Sequence, residues 1–310
     1  MKLDGLHHIT MITADAQRTV DFYVETLGLR LVKKTVNFDD PTAYHLYFGD
    51  ETGAPGSILT WFEYAGTSRG VAGAGMIHTI QLGVASIAAL DFWSRRLEER
   101  GHGHERTERS LRFGDSEGLA LELVVVDDGN RPLRAVDPEI PAEFAIVGPQ
   151  GARAYAPYAA VPEAVLTEVL GFTSLGAGEY RLTGEHRHFR WSYDQATREG
   201  VSGAATVHHI AWATPDEEQL SWRERIVGAG GYVTEVLDRD YFRSIYFREP
   251  RGILFEIATL SPGFAIDENP AHLGERLCLP QMHAHLRERL ERTLTPIVNP
   301  RQQRRQEVRA

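Results

Sequence analysis

The stretch Leu6-His7-His8-Ile9-Thr10 near the start of the chain returns, almost unchanged, as Val207-His208-His209-Ile210-Ala211. Each copy alternates apolar and polar residues, which is typical of a strand with one buried face. The same alternation recurs at Ile77-His78-Thr79-Ile80-Gln81. A more divergent repeat lies at Glu143-Phe144-Ala145-Ile146-Val147. The third positions of the four copies, 8, 79, 145 and 209, lie 71, 66 and 64 residues apart. The sequence therefore predicts four internal repeats, each the size of a small module.

Each repeat continues with the signals of one helix and three short strands. An amphipathic segment typical of a helix begins at Ser86 and ends at Gly101. Two other predicted helices end at a glycine, in the similar segments 25–29 and 168–172. The last strand of a module follows a glycine, as in residues 252–257 (Gly-Ile-Leu-Phe-Glu-Ile). We therefore predict an α+β protein of four tandem βαβββ modules that form two curved mixed-sheet barrels.

Prolines divide the chain into two halves. Pro132, Pro138 and Pro141 mark a linker. We predict an N-terminal domain of two modules (1–130), a C-terminal domain of two modules (142–260), a C-terminal loop and helix (261–298) and a disordered tail (299–310). The tail carries the only basic run, Arg301, Arg304, Arg305 and Arg309, which we interpret as a solvated end and not as a binding arm.

The composition excludes several classes of protein. A net charge of -10 over 310 residues argues against nucleic acid as a partner, because phosphate binding needs clustered Lys and Arg. No window supplies the ~20 apolar residues of a membrane span, and the N-terminus has no signal peptide pattern. Cys278 is the single cysteine, so we expect no intramolecular disulfide and a cytoplasmic location. The oligomeric state stays open, a homo-oligomer included.

The repeat also indicates which side chains could meet. Equivalent positions in equivalent strands point to the same face of a module. The third position of the opening strand holds His8 in module one and His209 in module four, and the last strand of module four holds Glu256. Two imidazoles and one carboxylate on one face form a metal-ligand set with open positions, which suits Fe(II) and oxygen chemistry. This single site requires the first and last modules to pack together.

A second metal site is disfavoured. His78 lies one position out of register with His8, and the ligand position beside it holds Thr79. Glu122, which matches Glu256, is then interpreted as a relic or a surface acid. In module one the matching position is Thr60, which offers no carboxylate.

Four segments in order carry a resemblance to a known family. They are residues 6–10, residues 44–51 with the glycines at 53 and 56, residues 207–211, and residues 238–256. Over most of residues 4–290 the chain resembles the vicinal oxygen chelate (glyoxalase, bleomycin resistance and extradiol dioxygenase) superfamily, and within it the two-domain hydroquinone ring-cleaving dioxygenases.

The resemblance implies a non-haem Fe(II) or Mn(II) enzyme that opens the ring of a 1,4-dihydroxybenzene beside a hydroxyl, using both atoms of O2. It implies His8, His209 and Glu256 as ligands of one mononuclear site. His7 and Tyr246 match groups near the substrate hydroxyl and bound oxygen, where they would act as acid-base or hydrogen-bond partners. The segment 239–241 departs from the family loop that holds an active-site Arg, so Arg239 or Arg243 takes that place.

Other polar and aromatic residues have plainer interpretations. His7, one residue from His8 in a strand, could point away from the metal face. We interpret His208, His45 and His188 as structural. The aromatic stretches at residues 44–48 and 61–64 either line an apolar pocket for an aromatic substrate or form core strands.

Two alternatives to a dioxygenase belong to different classes. A metal-dependent isomerase or lyase of the glyoxalase kind would present a fourth protein ligand, and Thr60 disfavours it. A non-catalytic protein that sequesters a drug or quinone would not need an intact triad of ligands.

Overall fold

The computed structural model describes residues 1–127, 129–157, 163–185 and 187–307. A strand followed by helix and then by three strands recurs along the chain. The strands are β1 (Leu6–Thr13), β2 (Arg30–Val36), β3 (Tyr44–Gly49), β4 (Ile58–Glu63), β5 (Met76–Val84), β6 (His104–Arg106), β7 (Ser110–Gly114), β8 (Ala120–Val125), β9 (Pro149–Ala156), β10 (Thr173–Gly176), β11 (Glu179–Thr183), β12 (His188–Gln195), β13 (Thr206–Thr214), β14 (Leu237–Asp238), β15 (Arg243–Arg248) and β16 (Leu254–Thr259).

The helices are short and lie outside the sheets. They are α1 (Ala16–Val20), α2 (Ile87–Glu99), α3 (Gln219–Gly228), α4 (Arg287–Thr293) and α5 (Pro300–Glu307), with π-helical turns at Asp21–Thr26 and Val165–Val169 and 3-10 turns at Asp216–Glu218, Phe264–Ile266, Pro270–His272 and Gln281–Leu286.

The longest helix, α2, shows why these elements form. The Ser86 hydroxyl accepts a hydrogen bond from the Ala89 amide at 3.1 Å, as predicted for its N-cap. The helix packs on β8 and buries Leu90, Trp93 and Leu97 completely. Each such side chain contributes about 1.5–3 kcal/mol by leaving water.

Two eight-stranded mixed sheets make up the α+β fold. One has the order β14-β15-β16-β13-β1-β4-β3-β2, and the other has the order β10-β11-β12-β9-β5-β8-β7-β6. The first sheet thus joins the first and last runs of strands, and the second sheet joins the two middle runs. The prediction that the first and last modules pack together is confirmed.

The third copy of the opening strand was predicted in the wrong place. Residues 143–147 form a turn and an extended segment, while β9 begins at Pro149. Ala145 and Ile146 are nevertheless buried in the core, which explains their apolar character. β9 contains three Ala and one Gly, and it lacks the β-branched residues that mark a strand in sequence.

The C-terminal tail is also corrected. Residues 300–307 form α5 and are not disordered, while residues 308–310 of the predicted tail, with Arg309, lie outside the described residues. Arg301 pairs with Glu51 at 2.5 Å and Arg304 pairs with Asp137 at 3.0 Å. Within the described residues, Arg301 and Arg304 of the basic run therefore pair with acidic residues of the same chain.

None of the described helices combines the length and the apolar composition that crossing a bilayer requires.

Candidate metal centre

The centre of the first sheet is formed by the two His-containing strands. β1 and β13 run antiparallel, with Thr10 opposite His209 and His8 opposite Ala211. The pairing relates the two histidines by a local twofold. Both side chains are buried, and their Nε2 atoms lie 3.3 Å apart. Strands from the two ends of the sequence therefore bring two imidazoles to one point.

Glu256 completes the group from the neighbouring strand. β16 runs parallel to β13 and places Glu256 opposite Ala211. Its Oε2 lies 2.9 Å from His209 Nε2 and 3.3 Å from His8 Nε2. Burial alone would raise the pKa of this carboxyl, but His8 and His209 hold that pKa well below its usual range. The carboxylate is therefore present in its charged, ligating form.

The three ligand atoms fit one small divalent cation. Ligands that are neighbours around an ion bound at about 2.1 Å lie roughly 3 Å apart, and the separations here are 2.9 to 3.3 Å. Oε2 of Glu256 is buried and makes no well-formed hydrogen bond with the described residues, a state that a cation would relieve. His8, His209 and Glu256 could thus hold a metal ion.

The second ring nitrogen of each ligand histidine contacts the histidine before it. Nδ1 of His8 is 2.8 Å from Nδ1 of His7, and Nδ1 of His209 is 2.7 Å from Nδ1 of His208. Desolvation and the neighbouring ligand histidine lower the pKa of His7 and of His208 to about 3. Both rings are therefore neutral, and each can accept a hydrogen bond from the Nδ1–H of the ligand ring. Such a bond orients the ligand and leaves its Nε2 free for a metal.

His7 and His208 thus hold equivalent places in their strands beside the ligands, but His7 is buried and His208 is exposed. His7 packs edge-on against Phe242, with ring centroids 4.8 Å apart, and does not line the cavity described below. Its acid-base role stays a prediction. The sequence did not assign His208 to the site, although the doubling of His in both copies of the strand is a signal for it.

A cavity lies beside the ligands. It is lined by His8 and His209 and by the rings of Phe38, Tyr47, Phe62, Phe242 and Tyr246. Its volume is about 30 Å³, which holds one or two water molecules. A larger ligand enters only if lining side chains move.

Tyr246 reaches the cavity from β15. It stands opposite Glu256 in the β15–β16 pair, and its ring lies edge-on to His209 at 5.7 Å. Burial raises the pKa of its hydroxyl, and Glu256 adds to that effect. The hydroxyl therefore keeps its proton at neutral pH and can donate a hydrogen bond.

Of the two candidate arginines, Arg239 lines the cavity and Arg243 does not. The Arg239 guanidinium lies over the rings of Phe38 (5.4 Å) and Tyr246 (5.5 Å) and pairs with Asp39 at 3.2 Å. Arg243 is exposed and faces Asp216 at 3.9 Å.

β3 and β4 add residues that the sequence did not assign. His45 lines the cavity, its Nε2 lies 2.6 Å from the Thr60 hydroxyl, and its Nδ1 lies 2.9 Å from the Tyr47 hydroxyl. The aromatic stretches 44–48 and 61–64 were predicted either to line a pocket or to form core strands, and they do both. Tyr47 and Phe62 line the cavity, while Trp61 is in the core. The face to which His45 points depends on the β3–β4 register, which sequence patterns do not specify.

Known proteins resemble this chain over nearly all its length. The sequence model of the Glyoxalase/Bleomycin resistance protein/Dioxygenase superfamily matches residues 5–123 and 164–257. The chain belongs to this superfamily. The Bacillus subtilis (strain 168) protein named "Putative ring-cleaving dioxygenase MhqO" is 42% identical over 308 residues, 95% of this chain and 97% of that protein. The chlorohydroquinone/hydroquinone 1,2-dioxygenase of Sphingobium indicum is 32% identical, over 96% of this chain and 98% of that protein.

Two solved structures share this fold. The crystal structure of a "putative dioxygenase" from Bacillus subtilis has a TM-score of 0.88 at 39% identity, over 96% of this chain and 98% of that one. Glyoxalase I from Zea mays has a TM-score of 0.58 at 14% identity, over 88% and 96% of the two chains, and so shares the fold.

In this superfamily member the second sheet repeats the layout without the ligands. Glu122 stands where Glu256 stands, Thr79 takes the place of His209, and Gly151 takes the place of His8. Glu122 accepts hydrogen bonds from Gln81 (2.8 Å) and Arg112 (3.0 Å). It is buried, so its interpretation as a surface acid is wrong. His78 pairs with Asp194 instead, at 2.9 Å.

The second group of possible metal ligands among the described residues is neutralised by a lysine side chain. Asp267, Glu268 and Cys278 lie together, and the buried Lys33 ammonium sits among them at 2.6, 2.5 and 3.7 Å. Burial raises the pKa of the Cys278 thiol to about 12, so the thiol stays protonated and unreactive at neutral pH. This cluster is an ion-pair core.

Ser244 holds the remaining oxygen of the ligand carboxylate. Its buried hydroxyl donates to Oε1 of Glu256, which turns Oε2 toward the two imidazoles. Ser110 stands in the equivalent position on β7, where its hydroxyl contacts that of Thr107 at 2.9 Å and lowers the pKa of Glu122.

We expect Ser244→Ala to weaken metal binding by 10- to 100-fold, on the order of the loss seen when a group that orients a ligand is removed. Competition with a chromophoric chelator for Mn(II) measures the change. Ser110→Ala is the matched control and should leave the affinity as it is. Equal affinities for wild type and Ser244→Ala would mean that the hydroxyl does not orient Glu256.

Proposed function

We propose that this chain is a non-haem, Fe(II)- or Mn(II)-dependent ring-cleaving dioxygenase that acts on hydroquinone-type (1,4-dihydroxybenzene) substrates. The observation that carries the proposal is the buried set of His8, His209 and Glu256 beside an aromatic-lined cavity. Two imidazoles and one carboxylate are typical of Fe(II) enzymes that use O2. The names of the full-length relatives support this class of reaction and substrate.

The ligand set suits O2 chemistry because Glu256 is its single anionic ligand, so a bound dication would retain net positive charge. When bound, a divalent ion in this set would lower the pKa of a ligated phenol and hold that phenol beside O2. Thr60 stands where a fourth carboxylate ligand would stand, and its hydroxyl is engaged with His45 and Thr10. This arrangement disfavours the alternative of a glyoxalase-type isomerase.

The other cavity residues have roles that follow from their positions. Phe62 and Phe242 offer apolar faces to a ring. The protonated Tyr246 hydroxyl would donate to an oxygen of the substrate, and the Arg239 guanidinium beside it would stabilise negative charge. His7 would act as a positioning residue that holds the His8 ring.

We also propose the division into domains at 1–130 and 142–260. The two segments that match the superfamily, 5–123 and 164–257, fall within these bounds. A cytoplasmic location is likewise proposed, on the buried, unpaired Cys278.

Oxygen consumption tests the proposed function. Protein prepared without O2 and loaded with Fe(II) should consume one O2 for each methylhydroquinone or chlorohydroquinone opened, and mass spectrometry after reaction in labelled O2 should find both atoms in the product. Catechol should be turned over at least about tenfold more slowly. His209→Ala should abolish the product and so separates catalysis from autoxidation.

Absence of a ring-opened product from every hydroquinone and catechol, with one metal bound per chain, would contradict the proposal. Conversion of the thiol adduct of an α-ketoaldehyde without O2 would then support the isomerase. Tight binding of quinones without any conversion would support the sequestering protein.

A further inference from the structure

Arg239 is the one Lys or Arg among the described residues that line the cavity. Its guanidinium lies between the rings of Phe38 and Tyr246, and its side chain is only 14% exposed. Tyr246 in turn contacts the ligand His209. An anionic substituent on a bound ring would find its binding partner in this guanidinium, since planar guanidinium groups bind carboxylates and sulfonates through paired hydrogen bonds.

The Arg239 guanidinium already forms an ion pair with Asp39. Its Oδ2 lies 3.2 Å from Nη2 of Arg239 and its Oδ1 lies 3.4 Å from Nη1. The carboxylate comes from the turn after β2, where the Asn37 side chain accepts a hydrogen bond from the Asp39 amide at 3.0 Å. The Asp39 side chain is 76% exposed, so the charge of Arg239 is balanced within the protein at the solvent-facing end of the cavity.

We propose that Asp39 is a specificity-determining residue, which makes the cavity select uncharged hydroquinones over hydroquinones that bear an anionic substituent. The inference rests on the proposed function. An anionic substituent must either displace Asp39 from Arg239 or lie beside it as a like charge, and both are unfavourable. A methyl or chloro substituent carries no charge, so it neither displaces Asp39 nor is repelled by it.

Asp39→Asn tests the inference, because it removes the charge and keeps the shape. The probes are methylhydroquinone and 2,5-dihydroxybenzenesulfonate, whose sulfonate is a weak metal ligand. Calorimetry without O2 gives the Kd of each for the Fe(II)-loaded protein, and O2 uptake gives kcat/KM. We expect the ratio of the two Kd values to shift about three- to fivefold toward the sulfonate in the variant, the size of one solvent-exposed ion pair.

Asp40→Asn is the matched control. Asp40 lies next in the same turn, does not line the cavity, and accepts hydrogen bonds from Thr42 through Oδ1, which Asn keeps. The ratio of the two Kd values should equal that of the wild type.

The outcomes separate this inference from the function on which it rests. An unchanged ratio in Asp39→Asn, or an equal gain for both probes, would overturn charge selection by Asp39. The expected shift in binding without cleavage of either ring would overturn the dioxygenase and support the selection. No binding of methylhydroquinone to the wild type would overturn both.

Discussion

Glu256→Gln is expected to leave the protein nearly without metal and without O2 uptake. Glu256 supplies the only negative charge among the three ligands, and its side chain is fully buried. The amide has nearly the same shape, so the two imidazoles stay in place while the attraction for a dication is lost. Affinity should fall by more than the roughly 100-fold typical of groups that only orient a ligand. Metal analysis after gel filtration, alongside O2 uptake, measures both losses.

Glu122→Gln is the control for that experiment. Glu122 is also buried and stands in the equivalent position of the second sheet, but Thr79 stands beside it in place of a ligand histidine. Metal content and O2 uptake should therefore stay at wild-type levels. Metal lost from Glu122→Gln and kept by Glu256→Gln would place the ion in the second sheet and contradict the assignment.

Lys33→Met is expected to cause the largest loss of stability. The Lys33 side chain is fully buried, and its ammonium contacts Glu268 at 2.5 Å and Asp267 at 2.6 Å. Methionine fills the space but leaves the buried Glu268 carboxylate without this partner, which costs about 3–5 kcal/mol. A melting temperature lower by about 10 °C follows for a chain of this size. Thermal unfolding followed by circular dichroism gives the value.

Two further variants separate the lost charge pair from a packing defect. Lys34→Met changes the next residue of β2, which is half-buried, and should shift the melting temperature by less than about 2 °C. Adding Glu268→Gln to Lys33→Met removes the uncompensated charge and should restore about half of the loss. A single Lys33→Met variant as stable as the wild type would show that the cluster contributes little.

The repeat let the sequence predict how distant parts of the chain meet. Because His8 and His209 occupy the same position in copies of one strand, and Glu256 follows its glycine at a matching distance, their meeting at one point could be derived without coordinates. The α+β class and the pairing of the first and last modules followed from the same pattern.

The features that the sequence did not predict depend on tertiary contacts, which leave no pattern in neighbouring residues. β9 is a strand of Gly, Ala and polar residues that forms because β5 and β12 flank it. α5 is strongly polar, and ion pairs such as Arg301 with Glu51 hold it in place. The role of His45 depends on the register between two strands joined by a turn. Side chains placed by tertiary pairing are beyond single-sequence reasoning.

The place of β1 in the first sheet has a consequence for synthesis on the ribosome. β1 emerges well before its partner β13 and the Glu256 strand, which appear only after two other modules have been made. Pairings of such large sequence separation form slowly, and until then the edge of β1 and its histidines lack their partner. The three candidate ligands therefore come together only after β16 has been synthesised and has paired with β13, so a metal ion would bind at this site after the sheet has closed.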